Sequence, residues 1–294
     1  MFNSRRDALR KISIGVAGAM TLRLAGEQRC TPSPLKANPV VGGSFKHSVC
    51  RWCYQSIQLE EFCEKVKPIG ISSVELTTPE EWPTLQRYGL TCAVATESWV
   101  SLTHGWNEPE LHDKLRSDYE KLVLAAAENG IPNVIVFSGN RRQLSDEQGL
   151  ENCATGLDGL VKFAGRHEVT IIMELLNSKV DHHDYQCDHT PWGVALVDKI
   201  GSPHFKLLYD IYHMQIMEGD VIATIRKYKD YIAHFHTGGV PGRHELDETQ
   251  ELYYPAIMRA IADTGFSGYV AQEFIPSKQD AIASLRHGVE VCTV

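Results

Sequence analysis

The chain has 294 residues, of which 43% are hydrophobic and 22% charged, a composition typical of a globular protein with a sizeable core. Its formal net charge of −8 gives no electrostatic basis for binding nucleic acid or an anionic membrane surface, because both depend on clustered Lys and Arg. Cys50 and Cys53 form a C-x-x-C, but no second pair completes a zinc site, and a chain of this size needs no disulfide bonds.

Residues 1–30 have the pattern of an export signal. Arg5 and Arg6 precede a modest apolar run, residues 12–22, that is too short to span a bilayer as a stable helix. This order is typical of a twin-arginine signal and predicts a periplasmic protein without stable membrane insertion. The alternative is the basic amphipathic start of a cytoplasmic protein, since no A-x-A cleavage site is visible. Residues 31–44 contain three prolines and two glycines and are predicted to be a linker.

From residue 45 onward, short apolar runs typical of buried strands alternate with longer segments of helical period. Asp146 and Thr190 are predicted N-caps, and Gly130, Gly201 and Gly265 suit the left-handed conformation that follows a helix. The strands are predicted at residues 46–54, 72–76, 91–95, 133–137, 169–175, 205–212, 232–236 and 268–274. The helices are predicted at residues 59–66, 84–88, 109–129, 146–167, 190–200, 220–229, 254–264 and 278–291.

Eight successive βα units match the size and repeat of a (β/α)8 TIM barrel. A doubly wound α/β sheet is the alternative, but no G-x-G-x-x-G is present, and Gly238 and Gly239 precede a polar loop instead of a helix. The sequence therefore predicts one α/β TIM-barrel domain over residues 45–294.

Side chains that can bind a metal follow the last four predicted strands. They are Glu174, Asp210, His236 and Glu273. Because the C-terminal ends of all barrel strands meet at one face, barrel closure is expected to bring these side chains within reach of one ion. Three carboxylates and one imidazole suit Mn²⁺ or Mg²⁺, with Zn²⁺ or Co²⁺ as substitutes. A single strand-end glutamate is more often an ion-pair partner, so the recurrence on four strands carries the prediction.

Four segments resemble the sugar isomerase and epimerase family of xylose isomerase-like TIM barrels, and most closely its hydroxypyruvate isomerase branch. The segments are MELLN, YDIYHMQ, HFHTGGVPGRHE and QEF. The resemblance implies that the four residues Glu174, Asp210, His236 and Glu273 hold a divalent metal, and that the two glutamates also act as acid and base. It further implies that Arg243 contacts the substrate and that His213 orients a neighbouring ligand.

The predicted substrate-binding set contains His213, Arg243, Asn177 and Glu245. For Arg243, a surface ion pair with Glu245 is the alternative. The aromatic residues Trp52, Trp99 and Trp106 are equally compatible with a pocket wall and with the core, whereas His182 and His183 are predicted to be solvated loop residues.

The chain departs from the hydroxypyruvate isomerase pattern in two places. His236 stands where that branch often has Gln, as in the ketose epimerases, and residues 250–254 read QELYY where G-E-I-N-Y is usual. Because of these differences, the sequence determines the reaction type better than it determines the identity of the substrate. A metal site of this kind polarises a carbonyl, so that one glutamate can remove the adjacent proton and the other can return it.

The sequence thus predicts a metal-dependent isomerase or epimerase of a small hydroxy-carbonyl compound, either hydroxypyruvate or an unphosphorylated sugar. A metal endonuclease of the apurinic-endonuclease kind shares the barrel, but its three-zinc centre needs more ligands than the four found. A non-catalytic exported sugar-binding barrel is the third interpretation. Homo-oligomerisation also stays open.

Overall fold

The structure is a computed structural model that describes residues 45–294. The predictions of an export signal at residues 1–30 and of a linker at residues 31–44 lie outside the described residues. Within the described part of the chain, none of the helices is long and apolar enough to cross a membrane.

Eight parallel strands form a closed sheet. Strand β1 pairs with both β2 and β8, and isolated bridges from Ser73 to Thr91 and from Thr77 to Ala95 join β2 to β3. This order confirms the predicted TIM barrel, and the doubly wound alternative is wrong. The strands are β1 (Lys46–Cys50), β2 (Ile71–Glu75), β3 (Val94–Ala95), β4 (Asn133–Val136), β5 (Thr170–Glu174), β6 (Phe205–Asp210), β7 (Ile232–Thr237) and β8 (Tyr269–Gln272).

The helices surround the barrel and cover the outer faces of the strands. Residues on both faces of a strand are therefore buried, as Ile171 and Ile172 show in β5. The helices are α1 (Leu59–Val66), α2 (Trp82–Arg87), α3 (His112–Glu128), α4 (Asp146–Arg166), α5 (Thr190–Ile200), α6 (Ile211–Met217), α7 (Val221–Tyr228), α8 (Tyr254–Asp263) and α9 (Ala281–Cys292). All eight predicted helices are present with small shifts at their ends, and α6 is additional.

Helix α6 corrects the predicted strand 205–212. The strand ends at Asp210, whose side-chain Oδ1 accepts a hydrogen bond from the backbone N–H of His213 at 3.0 Å. Asp210 is therefore the N-cap of α6, which satisfies one of the free donors of its first turn. The chain turns directly from strand into helix at the edge where the predicted ligands lie.

Two predicted N-caps are wrong. Asp146 is the first residue of α4, and the cap is Ser145, whose hydroxyl accepts a hydrogen bond from the backbone N–H of Gln148. Thr190 is the first residue of α5, and its hydroxyl donates to a carboxylate oxygen of Glu218 at 2.7 Å. The glycine predictions are confirmed, since Gly130, Gly201 and Gly265 have φ values of 67°, 66° and 79°.

Candidate active site

His236 lies at the centre of a buried cluster at the C-terminal end of the barrel. Its Nδ1 atom is 2.7 Å from Glu273 Oε2, 3.2 Å from Glu174 Oε1 and 4.0 Å from Asp210 Oδ2. One potential ligand atom from each of these four side chains lies within 4.8 Å of the others. Glu174 and Asp210 end β5 and β6, His236 lies near the end of β7, and Glu273 follows β8. The structure thus brings the four predicted ligands together.

The donor set fits a divalent cation. Three carboxylates and one imidazole lie close together, and all four side chains are buried from water. Glu174 Oε1 is buried without a hydrogen-bond partner. Buried carboxylates need a compensating charge, and oxygen-rich sites of this kind match the preferences of Mn²⁺ and Mg²⁺. The cluster is therefore consistent with a divalent metal site.

The protein environment shifts the pKa values of the two glutamates in opposite directions. Burial raises the pKa of Glu174, and the negative charge of Glu273 raises it further. Burial alone would also raise the pKa of Glu273, but the charges of Arg243 and His236 lower it well below its usual range. Neighbouring carboxyl groups with separated pKa values are typical of acid and base pairs.

Arg243 belongs to this cluster and not to the surface. Its Nη2 atom donates to Glu273 Oε2 at 2.6 Å and lies 3.5 Å from Asp210 Oδ2. The guanidinium carbon is 5.1 Å from the ring centroid of Trp52 and 5.4 Å from that of Tyr212, so cation–π contacts hold it on both sides. The alternative of a surface ion pair with Glu245 is wrong.

Two backbone hydrogen bonds fix the loop that carries Arg243. The N–H of Arg243 donates to the carbonyl of Gly239 at 2.8 Å, and the carbonyl of Arg243 accepts from the N–H of Ile275 at 2.6 Å. Arg243 has a φ of 58°, a left-handed conformation that is uncommon for a residue with a side chain. Strained residues of this kind are concentrated at functional sites.

His213 and Asn177 form a second layer behind Asp210. The Asn177 side-chain oxygen accepts from the backbone N–H groups of Val180 and Asp181, so its NH₂ group points to Nδ1 of His213, 2.6 Å away. Nδ1 of His213 is then the acceptor, and the proton is on Nε2, 3.7 Å from Asp210 Oδ2. This arrangement favours an orienting role for His213 over direct substrate contact.

Glu245 lies outside the cluster. Its two carboxylate oxygens accept hydrogen bonds from the backbone N–H groups of Ser277 and Lys278 and from the hydroxyls of Ser277 and Ser284. These bonds fix the connection between β8 and α9. The structure does not bring Glu245 to the cluster with the other predicted substrate-binding residues.

Glu75 and His234 are buried beside the cluster and were missed by the sequence reasoning. Glu75 ends β2, and its Oε1 atom accepts from Nε2 of His234 at 2.7 Å and from Nε2 of His236 at 2.9 Å. Burial would raise the pKa of Glu75, but the two histidines lower it to about 2. Its position at the end of a predicted strand was the available signal, the same one that identified Glu174.

Cys50 also reaches the cluster from the end of β1. Its Sγ atom lies 3.7 Å from Nε2 of His236 and 4.0 Å from Glu75 Oε1. Burial raises the pKa of this thiol well above its ordinary value, which keeps it protonated. The cysteines of residues 45–294 are free, in agreement with the expectation that none is needed for disulfide bonds.

A cavity of about 410 Å³ opens above Glu174, Glu273 and Arg243. Trp52 forms part of its wall and donates from Nε1 to Glu273 Oε1 at 2.7 Å. Of the two other tryptophans considered for the pocket wall, Trp106 is fully buried in the core, and Trp99 is half-buried and contacts Tyr119 edge-on. The prediction of a solvated His182 is wrong, because this side chain lines the cavity, with its ring 5.2 Å from that of His213.

Comparison with known proteins agrees with this geometry. A family model described as xylose isomerase-like TIM barrel matches residues 64–291. A putative hydroxypyruvate isomerase of Homo sapiens is 29% identical over 166 residues, which is 55% of this chain and 60% of the relative. The chain thus aligns with about three fifths of the length of that relative. A 2-oxo-tetronate isomerase of Pectobacterium atrosepticum is 27% identical over 222 residues, 70% of this chain and 82% of the relative.

Solved structures show the same fold at low sequence identity. The structure titled AP endonuclease, family 2 from Brucella melitensis has a TM-score of 0.74 and 21% identity, and the match covers 82% of this chain and 97% of the other. D-psicose 3-epimerase with D-tagatose from Clostridium cellulolyticum H10 has a TM-score of 0.65 and 18% identity, with 84% and 90% covered. At these identities the likeness concerns the fold alone.

Proposed function

The chain belongs to the xylose isomerase-like TIM barrel family, and on that premise we propose that it is a divalent-metal-dependent isomerase or epimerase of a small hydroxy-carbonyl compound. The observation that carries the proposal is the convergence of Glu174, Asp210, His236 and Glu273 in one buried cluster, of which Glu174 and Glu273 line a cavity. The names of the curated relatives, hydroxypyruvate isomerase and 2-oxo-tetronate isomerase, support the same reaction class.

The four clustered side chains are the proposed ligands, and Mn²⁺ or Mg²⁺ is the proposed ion, with Zn²⁺ or Co²⁺ as substitutes. When bound, such a cation polarises a substrate carbonyl and lowers the energy of negative charge that develops on its oxygen. The proposed substrates are hydroxypyruvate and unphosphorylated sugars.

The two glutamates are the proposed acid and base. One of the two, Glu174 or Glu273, removes the proton from the carbon next to the carbonyl and leaves an enediolate. In isomerisation, the other returns a proton to the former carbonyl carbon, while the hydroxyl proton passes from the neighbouring oxygen to the former carbonyl oxygen. In epimerisation, it returns the proton to the opposite face of the same carbon. Both carboxyl groups line the cavity, so both can reach a bound substrate.

Arg243 and His213 are proposed to support this step. Arg243 lines the cavity and presents a guanidinium group that can bind a carboxylate or hydroxyl of the substrate while it also holds Glu273. His213, whose ring is oriented by Asn177, donates its backbone N–H to Asp210 Oδ1 and is proposed to keep this carboxylate directed at the cluster. No such role follows for Glu245, which bonds to the β8–α9 connection.

Metal content combined with proton exchange tests the proposal. The protein is stripped of metal, titrated with Mn²⁺, and incubated with hydroxypyruvate and with unphosphorylated ketoses in D₂O, while deuterium incorporation next to the carbonyl is followed by NMR. We expect about one ion per chain and metal-dependent exchange. Binding of three zinc ions with cleavage of abasic DNA would favour a nuclease instead, and metal-free sugar binding without exchange would favour a binding protein.

Export by the twin-arginine route is a separate proposal that depends on residues 1–30. A reporter fused to these residues is expected to reach the periplasm, and a variant with Arg5 and Arg6 both replaced by Lys is expected to remain in the cytoplasm. Cytoplasmic retention of the unchanged fusion would contradict the proposal.

A further inference from the structure

The walls of the cavity are divided by polarity. Glu174, Glu273 and Arg243, which belong to the β5–β8 side of the barrel, supply its charged wall. Most of the remaining lining is apolar and consists of Leu76, Leu102, Ile135, Phe137 and Leu176, which lie in or after β2 to β5; the side chains of Thr96, His182 and Trp52 complete it. A ligand that reaches from the charged cluster across the cavity must therefore pass from a polar to an apolar environment.

The Ser138 hydroxyl and the Asn107 NH₂ group, which follow β4 and β3, already have hydrogen-bond partners. The hydroxyl of Ser138 donates to the carbonyl of Gly139 and accepts from the N–H of Cys187. The side-chain NH₂ group of Asn107 donates to the carbonyl of Asn140 at 2.7 Å. A substrate hydroxyl placed against Leu102 or Phe137 meets no side-chain donor or acceptor on these residues and loses its hydrogen bonds to water.

The size of the cavity also exceeds the needs of a three-carbon substrate. A volume of about 410 Å³ lies within the range of roughly 300 to 1,000 Å³ that is typical of pockets for drug-sized ligands. Leu102 stands at the wall with 37% of its surface exposed, so an apolar group placed against it would remove this surface from water. The part of the cavity beyond the charged cluster therefore suits the apolar atoms of a ligand.

We propose that the substrate carries an apolar group, a methyl group or a larger hydrocarbon, at the end remote from the reacting carbonyl. The hydroxy-carbonyl end lies at Glu174, Glu273 and Arg243, and the apolar end packs against Leu102 and Phe137. This inference rests on the proposed function, because it takes the charged cluster as the place where the proton is transferred.

A matched pair of substrates tests it. The Mn²⁺-loaded protein is given a ketohexose and the 6-deoxy ketohexose of the same configuration, which differ only in a terminal hydroxyl, and the apparent second-order rate constant for deuterium incorporation from D₂O is measured for each. We expect the 6-deoxy sugar to react about tenfold faster or more, the discrimination that an apolar pocket typically gives for a change of this size.

Two variants locate the effect. Leu102→Asn offers the terminal hydroxyl a partner and is expected to bring the ratio of the two rate constants close to one. Leu124→Asn is the control, since Leu124 is 41% exposed on α3 and is not among the residues that line the cavity. This variant is expected to keep the wild-type ratio.

The outcomes separate the two proposals. Equal exchange of both sugars by the wild-type protein, or an unchanged ratio in Leu102→Asn, overturns the apolar end of the substrate and leaves the isomerase proposal standing. Absence of exchange with both sugars and with hydroxypyruvate overturns the proposed function, and this inference falls with it.

Discussion

Glu75 accepts a hydrogen bond from Nε2 of His236 at 2.9 Å, so the carboxylate keeps this nitrogen of the imidazole protonated. The pKa of Glu75 is lowered to about 2, which makes it an ionised group that can only accept. Nδ1 of His236 is the atom that faces Glu174, Asp210 and Glu273. The bond to Glu75 thus holds the proton on Nε2, which leaves the Nδ1 lone pair for a cation when the cation takes the place of the proton on Nδ1.

The Glu75→Gln variant is expected to bind Mn²⁺ about 10-fold to 100-fold more weakly than the wild-type protein, the usual effect of replacing a carboxylate that orients a metal-binding histidine. The amide retains an oxygen that can accept a hydrogen bond, so the variant removes the charge more than the contact. Titration of the metal-free protein followed by electron paramagnetic resonance of free Mn²⁺ gives the affinity without reference to activity.

Glu97→Gln is the matched control for that experiment. Glu97 also lies at the C-terminal side of a strand, β3, but it is half-buried, and its carboxylate bonds only to the neighbouring N–H of Ser98 in the described structure. Its replacement removes the same charge at the same end of the barrel. An equal loss of affinity in both variants would show a general effect of charge and contradict the orienting role of Glu75.

Arg243→Met is expected to destabilise the metal-free protein by about 3 to 5 kcal/mol, the usual cost of removing one partner of a buried ion pair. Arg243 is the cation that bonds to Glu273 and faces Asp210. Because Mn²⁺ neutralises the same carboxylates, saturating metal should raise the melting temperature of the variant more than that of the wild-type protein. Urea unfolding without metal and thermal unfolding with metal measure the two effects.

The exposed pair between Arg87 and Glu60, 3.2 Å apart, supplies the comparison for Arg243. Arg87→Met should change the free energy of unfolding by less than about 1 kcal/mol, because exposed ion pairs contribute little. A loss of similar size in both arginine variants would mean that Arg243 has no special electrostatic role.

The four clustered ligands could be predicted because strand ends of a barrel converge by geometry, whatever the loops do. Glu75 occupies the same kind of position, which was an available signal, but its connection to the cluster is visible only in its bonds to His234 and His236. The position of Arg243 depends on a bond from the backbone of Ile275, which is distant in the sequence. Contacts of this kind between loops leave no periodic pattern, so sequence alone could not choose between the surface and the site.

Glu245 is expected to make the stability of the protein depend on pH in the acid range. Burial would raise its pKa, but hydrogen bonds from Ser277, Lys278 and Ser284 lower it from 4.5 to about 2 in the folded protein. Its stabilising effect is therefore fully present above about pH 4.5, where the unfolded carboxyl group ionises, and is lost as the pH falls toward about 2.

The free energy of unfolding measured in urea at pH 7, 4.5 and 3 checks this expectation. Glu245→Gln should be less stable than the wild-type protein at pH 7 and should lose less of its stability between pH 4.5 and 3, an interval that lies within the range between the unfolded pKa of 4.5 and the folded pKa of about 2. Glu110→Gln, which alters an exposed glutamate, should follow the wild-type curve. Parallel curves for wild type and Glu245→Gln would contradict the assignment.

Glu174→Gln and Glu273→Gln are expected to abolish turnover more completely than they abolish metal binding. An amide oxygen can still bind a cation, but it cannot accept the proton of the substrate, and loss of a positioned acid or base typically lowers the rate about 10² to 10⁴-fold. Loss of one ligand charge weakens the affinity for metal, which excess Mn²⁺ can restore. His213→Ala, which alters a residue that faces Asp210, should lower the rate only about 10 to 100-fold.

Turnover at saturating Mn²⁺, measured together with the metal content of each variant, decides between a role in chemistry and a role in binding. If the metal-loaded Gln variants are inactive while His213→Ala retains measurable turnover, the glutamates transfer the proton, because all three variants then share the same metal occupancy and differ in the group that reaches the substrate. Near wild-type rates in both metal-loaded Gln variants, on a substrate that the unchanged protein isomerises, would mean that another group transfers the proton.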